Sequence, residues 1–533
     1  MVRRLNRFVS SAMRASNIPG LSLALTDRDS LRGVATRGFA DLARRKRVRP
    51  ETLFEIGSIS KSFTSIALLQ QWEAGRLDLH APVTRYLPWF AVRSKYEPIT
   101  VHHLMTHTAG IIMGTDFSTE ARYETWALRD TETGFPPGSR FHYSNVGYKV
   151  LGLVLESLTG EPASETVRTR ILEPLGMDST LPAITHEARS RLAVGYSEVY
   201  DDRPSHPSHA LVPATWLETD TADGNIASPA PDMATFLRML LNRGRGPQGR
   251  ILSEEGFSLL TQRAVRPDDA AHGEFYGYAL NVKERGGHTT IGHSGSMVGY
   301  AATILADLDA GLGVVVLANA MQETGEIADA AMQLLRAASE GRRLPSLPRP
   351  KDPRYVRKPS DYTGAYRDGL EEITIEADRG RLVLRRGADR ALLEARETDA
   401  FFVDHPELVR FLLRFRREGD RVVEALHGSH RYAREGATIP AAPTTPPEWE
   451  AYAGHYRSHN PWLTNFRVVM RRGALLLIRP GGEEDPLAPV SDGVFRVGAT
   501  EHSPERIRFD TILDGKAIRA NLSGCDYYRT FAP

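Results

Sequence analysis

Part of this chain is written twice. Tyr362-Thr-Gly-Ala-Tyr-Arg367 returns ninety residues later as Tyr452-Ala-Gly-His-Tyr-Arg457, and Gly419-Asp-Arg-Val-Val-Glu-Ala-Leu426 returns as Gly515-Lys-Ala-Ile-Arg-Ala-Asn-Leu522. Each copy closes on tyrosine and arginine, as Arg431-Tyr432-Ala-Arg434 and Tyr527-Tyr528-Arg529. Inside the copies, runs such as Glu372-Ile-Thr-Ile-Glu376 and Arg381-Leu-Val-Leu-Arg385 alternate polar and apolar residues between turn residues. That is the pattern of strands with one buried face. A solenoid buries its core by stacking at least three units, so two copies imply that each closes on itself. The reading is a pair of small, lipocalin-like antiparallel β-barrels.

Two proline-rich stretches, Gly341–Pro353 and Gly436–Pro447, read as stiff linkers. They divide the chain into 1–340, 354–435 and 448–533. The first region mixes periods. Leu21–Thr26 and Gly313–Asn319 read as strands, whereas Ser60–Glu73, Tyr148–Thr159, Asp232–Asn242 and Thr324–Ser339 read as helices. Gly75, Gly160 and Gly244 stand just past three of these helices as stops. Strands near both ends with helices between them predict an α+β domain: an antiparallel sheet closed by its first and last segments, plus a helical insert. At the N-terminus, Arg7 and Arg14 interrupt any apolar leader, and Leu5, Phe8, Val9, Ala12 and Met13 fall at helical spacing. The expectation is an amphipathic helix, no membrane span and a cytoplasmic location.

Three constellations carry chemistry. In Gly57-Ser58-Ile-Ser-Lys61, a serine and a lysine three residues apart share one helical face. A serine hydroxyl is a weak nucleophile until a base removes its proton, and a desolvated lysine can be that base. Placing Ser58 at a helix N-terminus also aims backbone N–H groups at developing negative charge. Lysine is scarce here, eight of 67 basic residues, and none of the other seven has a serine three residues before it. Arginine keeps its proton at any working pH, so a lysine at this place is informative. In Pro136-Pro-Gly-Ser-Arg-Phe-His-Tyr143-Ser-Asn145, a tyrosine able to relay a proton precedes a helix. Asn145 either caps that helix or donates to a substrate carbonyl. In Thr290-Ile-Gly-His293-Ser-Gly295-Ser296, an edge strand approaches a turn into a second strand. Small residues there let substrate lie against the backbone, and the Ser296 N–H is placed to complete an oxyanion hole.

Ser58-x-x-Lys61, Tyr143-x-Asn145 and His293-x-Gly295 follow one another at intervals of 85 and 150 residues. In that order they resemble the serine β-lactamase and penicillin-binding-protein superfamily. Ile18-Pro-Gly-Leu-Ser-Leu-Ala24, Leu104-Met-Thr-His-Thr-Ala-Gly110 and Leu172-Glu-Pro-Leu-Gly-Met-Asp178 extend the resemblance over roughly residues 1–340, nearest to the class C-like branch. The resemblance implies acyl-enzyme chemistry, with Ser58, Lys61, Tyr143 and His293 catalytic and Asn145, Gly295 and Ser296 binding substrate. Histidine replaces the lysine of the Lys-Thr-Gly typical of β-lactamases, as in D-aminopeptidases. Two trailing barrels also resemble the D-aminopeptidase architecture, in which a loop of the last barrel reaches the cleft. Here that loop is Arg479–Pro489, whose Glu483, Glu484 and Asp485 are candidates to hold a substrate ammonium. The implied activity is a D-aminopeptidase-like peptidase or amidase. The alternatives are a family VIII-like carboxylesterase and an inactive binder of peptidoglycan fragments.

Other classes are disfavoured. A net charge of +1 leaves no electrostatic footprint for nucleic acid. The single cysteine, Cys525, excludes an internal disulfide and a cysteine metal cluster. His103 and His107 are spaced like helical zinc ligands, but no glutamate follows His103 and no third ligand is evident. Neither a metal nor a cofactor is expected. The expected partner is a small-molecule or short-peptide substrate, and the assembly considered is a homodimer.

Overall fold

The computed structural model describes residues 1–114, 120–348, 351–441 and 443–531. Residues 349–350 and 442 of the linkers and 532–533 of the last predicted domain lie outside the described residues. The chain forms two compact units. The first comprises Met1–Val199, Ala210–Arg349 and His502–Pro504, and the second comprises Tyr200–His209, Pro350–Glu501 and Glu505–Pro533.

An eight-stranded, wholly antiparallel sheet organises the first unit. Its order is Glu274–Tyr276, Asn281–Arg285, His288–Met297, Tyr300–Asp307, Leu312–Ala318, Gly20–Asp27, Leu31–Asp41 and Lys46–Arg47. The first long strand therefore pairs with the last, Leu21 opposite Ala318 and Asp27 opposite Leu312, as the strand positions predicted. On one face the Val2–Ala15 helix buries Leu5, Phe8, Val9 and Met13 with Ile327, Ala331 and Leu334 of the Gly325–Ser339 helix. These side chains cover Leu21, Leu23, Val314 and Val316 of the sheet. Ala230–Leu241 packs against the sheet strands, and its Phe236 stacks on Phe63 of the Ser60–Glu73 helix with ring centroids 4.1 Å apart. Gly75, Gly160 and Gly244 follow their helices with φ of +70°, +76° and +86°, the left-handed turn that ends a helix. The Asn145–Thr159 helix begins three residues earlier than its periodicity suggested, because the Ser144 hydroxyl accepts the Gly147 N–H at 3.0 Å and caps it.

The second unit contains two closed eight-stranded antiparallel barrels, which run from Gly364 to Arg434 and from Gly454 to Arg529. The duplicated signature is what closes them. The first strand pairs with the last at Tyr366–Arg434 and again at Tyr456–Arg529. The second tyrosine of each motif donates back to the carbonyl of the first, Tyr366 to Tyr362 at 2.7 Å and Tyr456 to Tyr452 at 2.8 Å. Each closing arginine then forks over backbone carbonyls, two of them at equivalent places, and the second Nη of Arg434 also reaches Thr363 O at 2.5 Å. Arg434 donates to Asp361 O at 2.9 Å and Val422 O at 3.0 Å; Arg529 donates to Ala451 O at 2.6 Å and Ala517 O at 2.7 Å. In the second copy a Cβ at Gly454 would run into the Arg529 guanidinium, so a side chain there would displace the latch.

Chain order alone does not place Tyr200–His209, which lies between the paired strands Tyr196–Glu198 and Leu211–Pro213 yet belongs to the barrel unit. There His206 stacks on Phe402, ring centroids 5.0 Å apart, and its Nε2 lies 3.0 Å from Glu394. Among the described residues no helix is long and apolar enough to cross a membrane.

Removing a charged donor that satisfies buried carbonyls costs up to about 3 kcal/mol for each bond. Arg434→Ala and Arg529→Ala should each lower the stability of the second unit by roughly that amount. Chemical denaturation reads the loss as a lower midpoint for the barrel transition, and a lysine in either place should restore little because it cannot fork.

Candidate active site

Ser58 sits in a single tight turn, Gly57–Ile59, that runs directly into the Ser60–Glu73 helix. Lys61 lies in the first turn of that helix with its side chain fully buried. A buried amine needs oxygen partners, and Lys61 has two. Its Nζ donates to Ser58 Oγ at 2.9 Å and to the carbonyl of Asp223 at 2.8 Å. The loop that supplies Asp223 is itself tied to the helix. Thr64 donates to Ala222 O at 2.7 Å, and the Ile226 N–H donates to Ser60 Oγ at 3.2 Å. Two tyrosine rings complete the surroundings, with centroids 5.2 Å (Tyr143) and 5.8 Å (Tyr148) from Nζ. The buried Tyr143 hydroxyl takes no hydrogen bond from the described residues. Tyr148 instead spends its hydroxyl on Met105 O at 2.9 Å.

The third motif runs along the same turn. His288–Met297 pairs with Asn281–Arg285 only as far as Gly292, so His293–Met297 is a free edge on that side. The glycines serve the protein's own contact here. A Cβ at Gly295 would collide with the Ile56 carbonyl, and one at Gly57, which has φ of +51°, would meet the Ser296 backbone. Glycine at both places brings the edge strand against the serine turn. The two-residue turn between Met297 and Tyr300 sets the ladder alternation along this hairpin. Inward bonds at Met297 and Gly295 leave the Ser296 N–H pointing to the free edge.

His293 is buried, with both ring nitrogens engaged. Nδ1 contacts the Ser294 carbonyl, which only accepts, so Nδ1 carries the proton and Nε2 accepts from the Tyr276 hydroxyl at 3.0 Å. Burial first, then the neighbouring Lys61 charge, push its pKa down to about 4. Burial likewise holds Tyr276 far above the ordinary tyrosine range, so it remains a donor. His293 is therefore a neutral, tethered imidazole at neutral pH and supplies no positive charge to the site.

Ser144 provides the helix cap, which leaves Asn145 as the first residue of the helix, two positions after Tyr143. The two histidines with zinc-like spacing serve backbone groups: His103 Nδ1 accepts the Thr100 N–H at 3.2 Å and His107 Nδ1 accepts the Ser144 N–H at 3.0 Å. Glu483, Glu484 and Asp485 belong to the second unit, at a hairpin instead of the open loop expected for 479–489, with Glu484–Ser491 forming a strand. Glu484 is ion-paired with Arg471 and with Arg414, and Asp485 with Arg479; Glu483 is exposed. Two residues of the site escaped the sequence reading, Asp223 and Tyr276, and His107 figures there only as one of a zinc-spaced pair. Asp223 acts through its backbone and leaves no side-chain signal. Tyr276, in Phe275-Tyr-Gly-Tyr278, reads as an ordinary aromatic strand end.

An unfolded histidine takes up a proton near pH 6.5, whereas His293 does so only near pH 4 when folded. Between those values the unfolded chain binds more protons, so stability is complete above pH 6.5 and falls as pH falls toward 4. The thermal midpoint should decline over that window. In His293→Asn the decline should be shallower by about one linked proton, measured by calorimetry across pH 4 to 7.5.

This geometry agrees with the comparisons to known proteins. Residues 5–339 match the family model described as Beta-lactamase. Penicillin-binding protein 4 of Amycolatopsis lactamdurans is 28% identical over 358 residues, which is 63% of this chain and 91% of that protein. Protein flp of Staphylococcus aureus (strain N315) is 26% identical over 332 residues, 60% of this chain, and the match spans 64% of that relative's length. Among solved structures, the octameric penicillin-binding protein homologue from Pyrococcus abyssi aligns with a TM-score of 0.59 and 26% identity, covering 81% of this chain and all of that one. A family match over more than half of the chain, on the domain that holds the buried Ser58–Lys61 pair, means that this chain belongs to the Beta-lactamase family.

Proposed function

We propose that the protein hydrolyses amide or ester bonds through an acyl-enzyme on Ser58, with amides and short peptides of D-amino acids as the favoured substrates. The observation that carries the reading is the fully buried Lys61 Nζ held 2.9 Å from Ser58 Oγ. Lys61 takes part in its neutral form: as Oγ bonds to the substrate carbonyl carbon, the Ser58 proton passes to the unprotonated Nζ. The oxyanion is met by the N–H groups of Ser58 and Ser296. The C–N or C–O bond then breaks, and the departing amine or alcohol takes its proton from Lys61 through Tyr143. Asn145 orients the acyl group. Water attacks the Ser58 ester, its proton returns along the same route, and the carboxylic acid leaves with Ser58 restored.

The state of His293 shapes the choice of substrate. A neutral imidazole with both nitrogens engaged offers no cation to a carboxylate beside the scissile bond, which favours acyl groups lacking one over β-lactams. A carboxylesterase is the second reading. It is favoured by the acids proposed to hold an ammonium: Glu484 and Asp485 already face arginines, leaving Glu483 alone exposed.

Four substrates separate these readings: a D-alanine anilide, its L-isomer, a short-chain nitrophenyl ester and a chromogenic cephalosporin. The D-anilide and the ester should turn over, and the cephalosporin should be the slowest. Turnover of the ester without the D-anilide selects the esterase, and turnover of none selects the peptidoglycan-fragment binder. Ser58→Ala should abolish all activity. Lys61→Arg keeps a long basic side chain that cannot give up its proton and so cannot act as the base, and kcat should fall about 10²- to 10⁴-fold. An arginine variant within a few-fold of wild type would overturn the mechanism.

A further inference from the structure

Tyr143 lies in no helix or strand; it belongs to the irregular segment between Pro136 and the Asn145–Thr159 helix. Something else must aim its phenol, and His107 makes three contacts that do so. The His107 carbonyl accepts the His142 N–H at 2.8 Å, and its Nδ1 accepts the Ser144 N–H at 3.0 Å. The peptide is thus gripped on both sides of Tyr143 by one residue. The third contact is the imidazole itself, which lies against the Tyr143 ring with centroids 4.1 Å apart and planes inclined by 33°. His107 is fully enclosed, with the rings of Tyr148, Tyr276 and Phe141 centred 5.2, 5.2 and 5.8 Å away.

The residue type matters in three respects. Nδ1 must be unprotonated to accept an N–H, so the working imidazole is neutral, with its hydrogen on Nε2. Burial first, then Lys61, hold its pKa well below the usual histidine value. The backbone stands at φ of +56°, where histidine and asparagine are tolerated better than other side chains. A flat ring, finally, is what lies on the phenol.

We propose that His107 is the positioning residue for Tyr143, a neutral clamp that fixes the phenol beside Lys61 without touching substrate. The inference rests on the reading that Tyr143 relays the leaving-group proton. Its prediction is coupling: His107 should matter through Tyr143 and little otherwise.

A double-mutant cycle on the nitrophenyl ester tests this. Tyr143→Phe should lower kcat about 10²- to 10³-fold. His107→Phe keeps a ring but strands the Ser144 N–H, and misplacing the phenol by about 1 Å should cost roughly 10²-fold in kcat with KM within about twofold. His107→Asn keeps an acceptor near the Nδ1 position and suits the positive φ, so it should recover about tenfold of that loss. In the Tyr143→Phe background either change at His107 should cost less than about twofold. Equal losses in both backgrounds, or full activity in the His107 variants while Tyr143→Phe is crippled, would overturn the inference and leave the relay standing. Full activity in Tyr143→Phe would instead bring down the relay itself, and the inference with it. Thermal midpoints show which variants are folded, and if His107→Phe is not, the cycle is run with His107→Asn.

Discussion

The candidate site in the first unit is organised around one buried amine. Lys61 Nζ sits in a place water does not reach, and an amine there is tolerable only between oxygen atoms. One of those oxygens is the proposed nucleophile, three residues earlier in the chain; the other is the backbone carbonyl of Asp223, brought by a distant loop. The helix that carries Lys61 is buried on nearly all sides, so the amine has little freedom to move. Phe63, two residues further along, anchors that helix on Phe236.

Around the amine the protein has arranged neutral groups. His293 and His107 are both close enough to Lys61 for its charge to oppose their protonation, and both are bonded in ways that require an unprotonated nitrogen. Once Lys61 has taken up the Ser58 proton in the proposed reaction, a second cation in this low-dielectric site would cost far more than in water. With the imidazoles neutral, the proposed proton movement falls to Lys61, Ser58 and Tyr143. The same arrangement explains why histidine can stand where relatives of this fold place a lysine: with Tyr276 below and the Ser294 carbonyl beside it, the side chain ties down the strand end and carries no charge.

The barrels follow a different logic. Each is closed by a backbone ladder and latched by an arginine whose fork reaches carbonyls of a neighbouring strand and of the entering chain. Full closure leaves no strand edge open to pairing with other chains. The acids of the 483–485 turn are largely drawn into ion pairs inside this unit, through Arg471, Arg414 and Arg479. Acidity in a turn is a weak guide to ligand binding when the same unit is rich in arginine.

Much of this was legible before any coordinates. Local rules determined the helices, their glycine stops and the Ser58–Lys61 spacing, because one turn of helix places residues three apart together whatever the rest of the chain does. Repetition determined the two barrels, since a duplicated strand pattern implies a duplicated fold, and even the latch was visible as tyrosine and arginine at the end of each copy. Tertiary structure decided what sequence separation hides. The Asp223 carbonyl has no side-chain signature, the Tyr276 hydroxyl meets His293 only because their strands flank the same third strand, where Asn281 stands opposite both Tyr276 and Gly292, and Tyr200–His209 joins a unit far from it in the chain. It also decided protonation. Whether a histidine carries charge depends on burial and on which groups fold against each nitrogen, and neither is written in the order of residues.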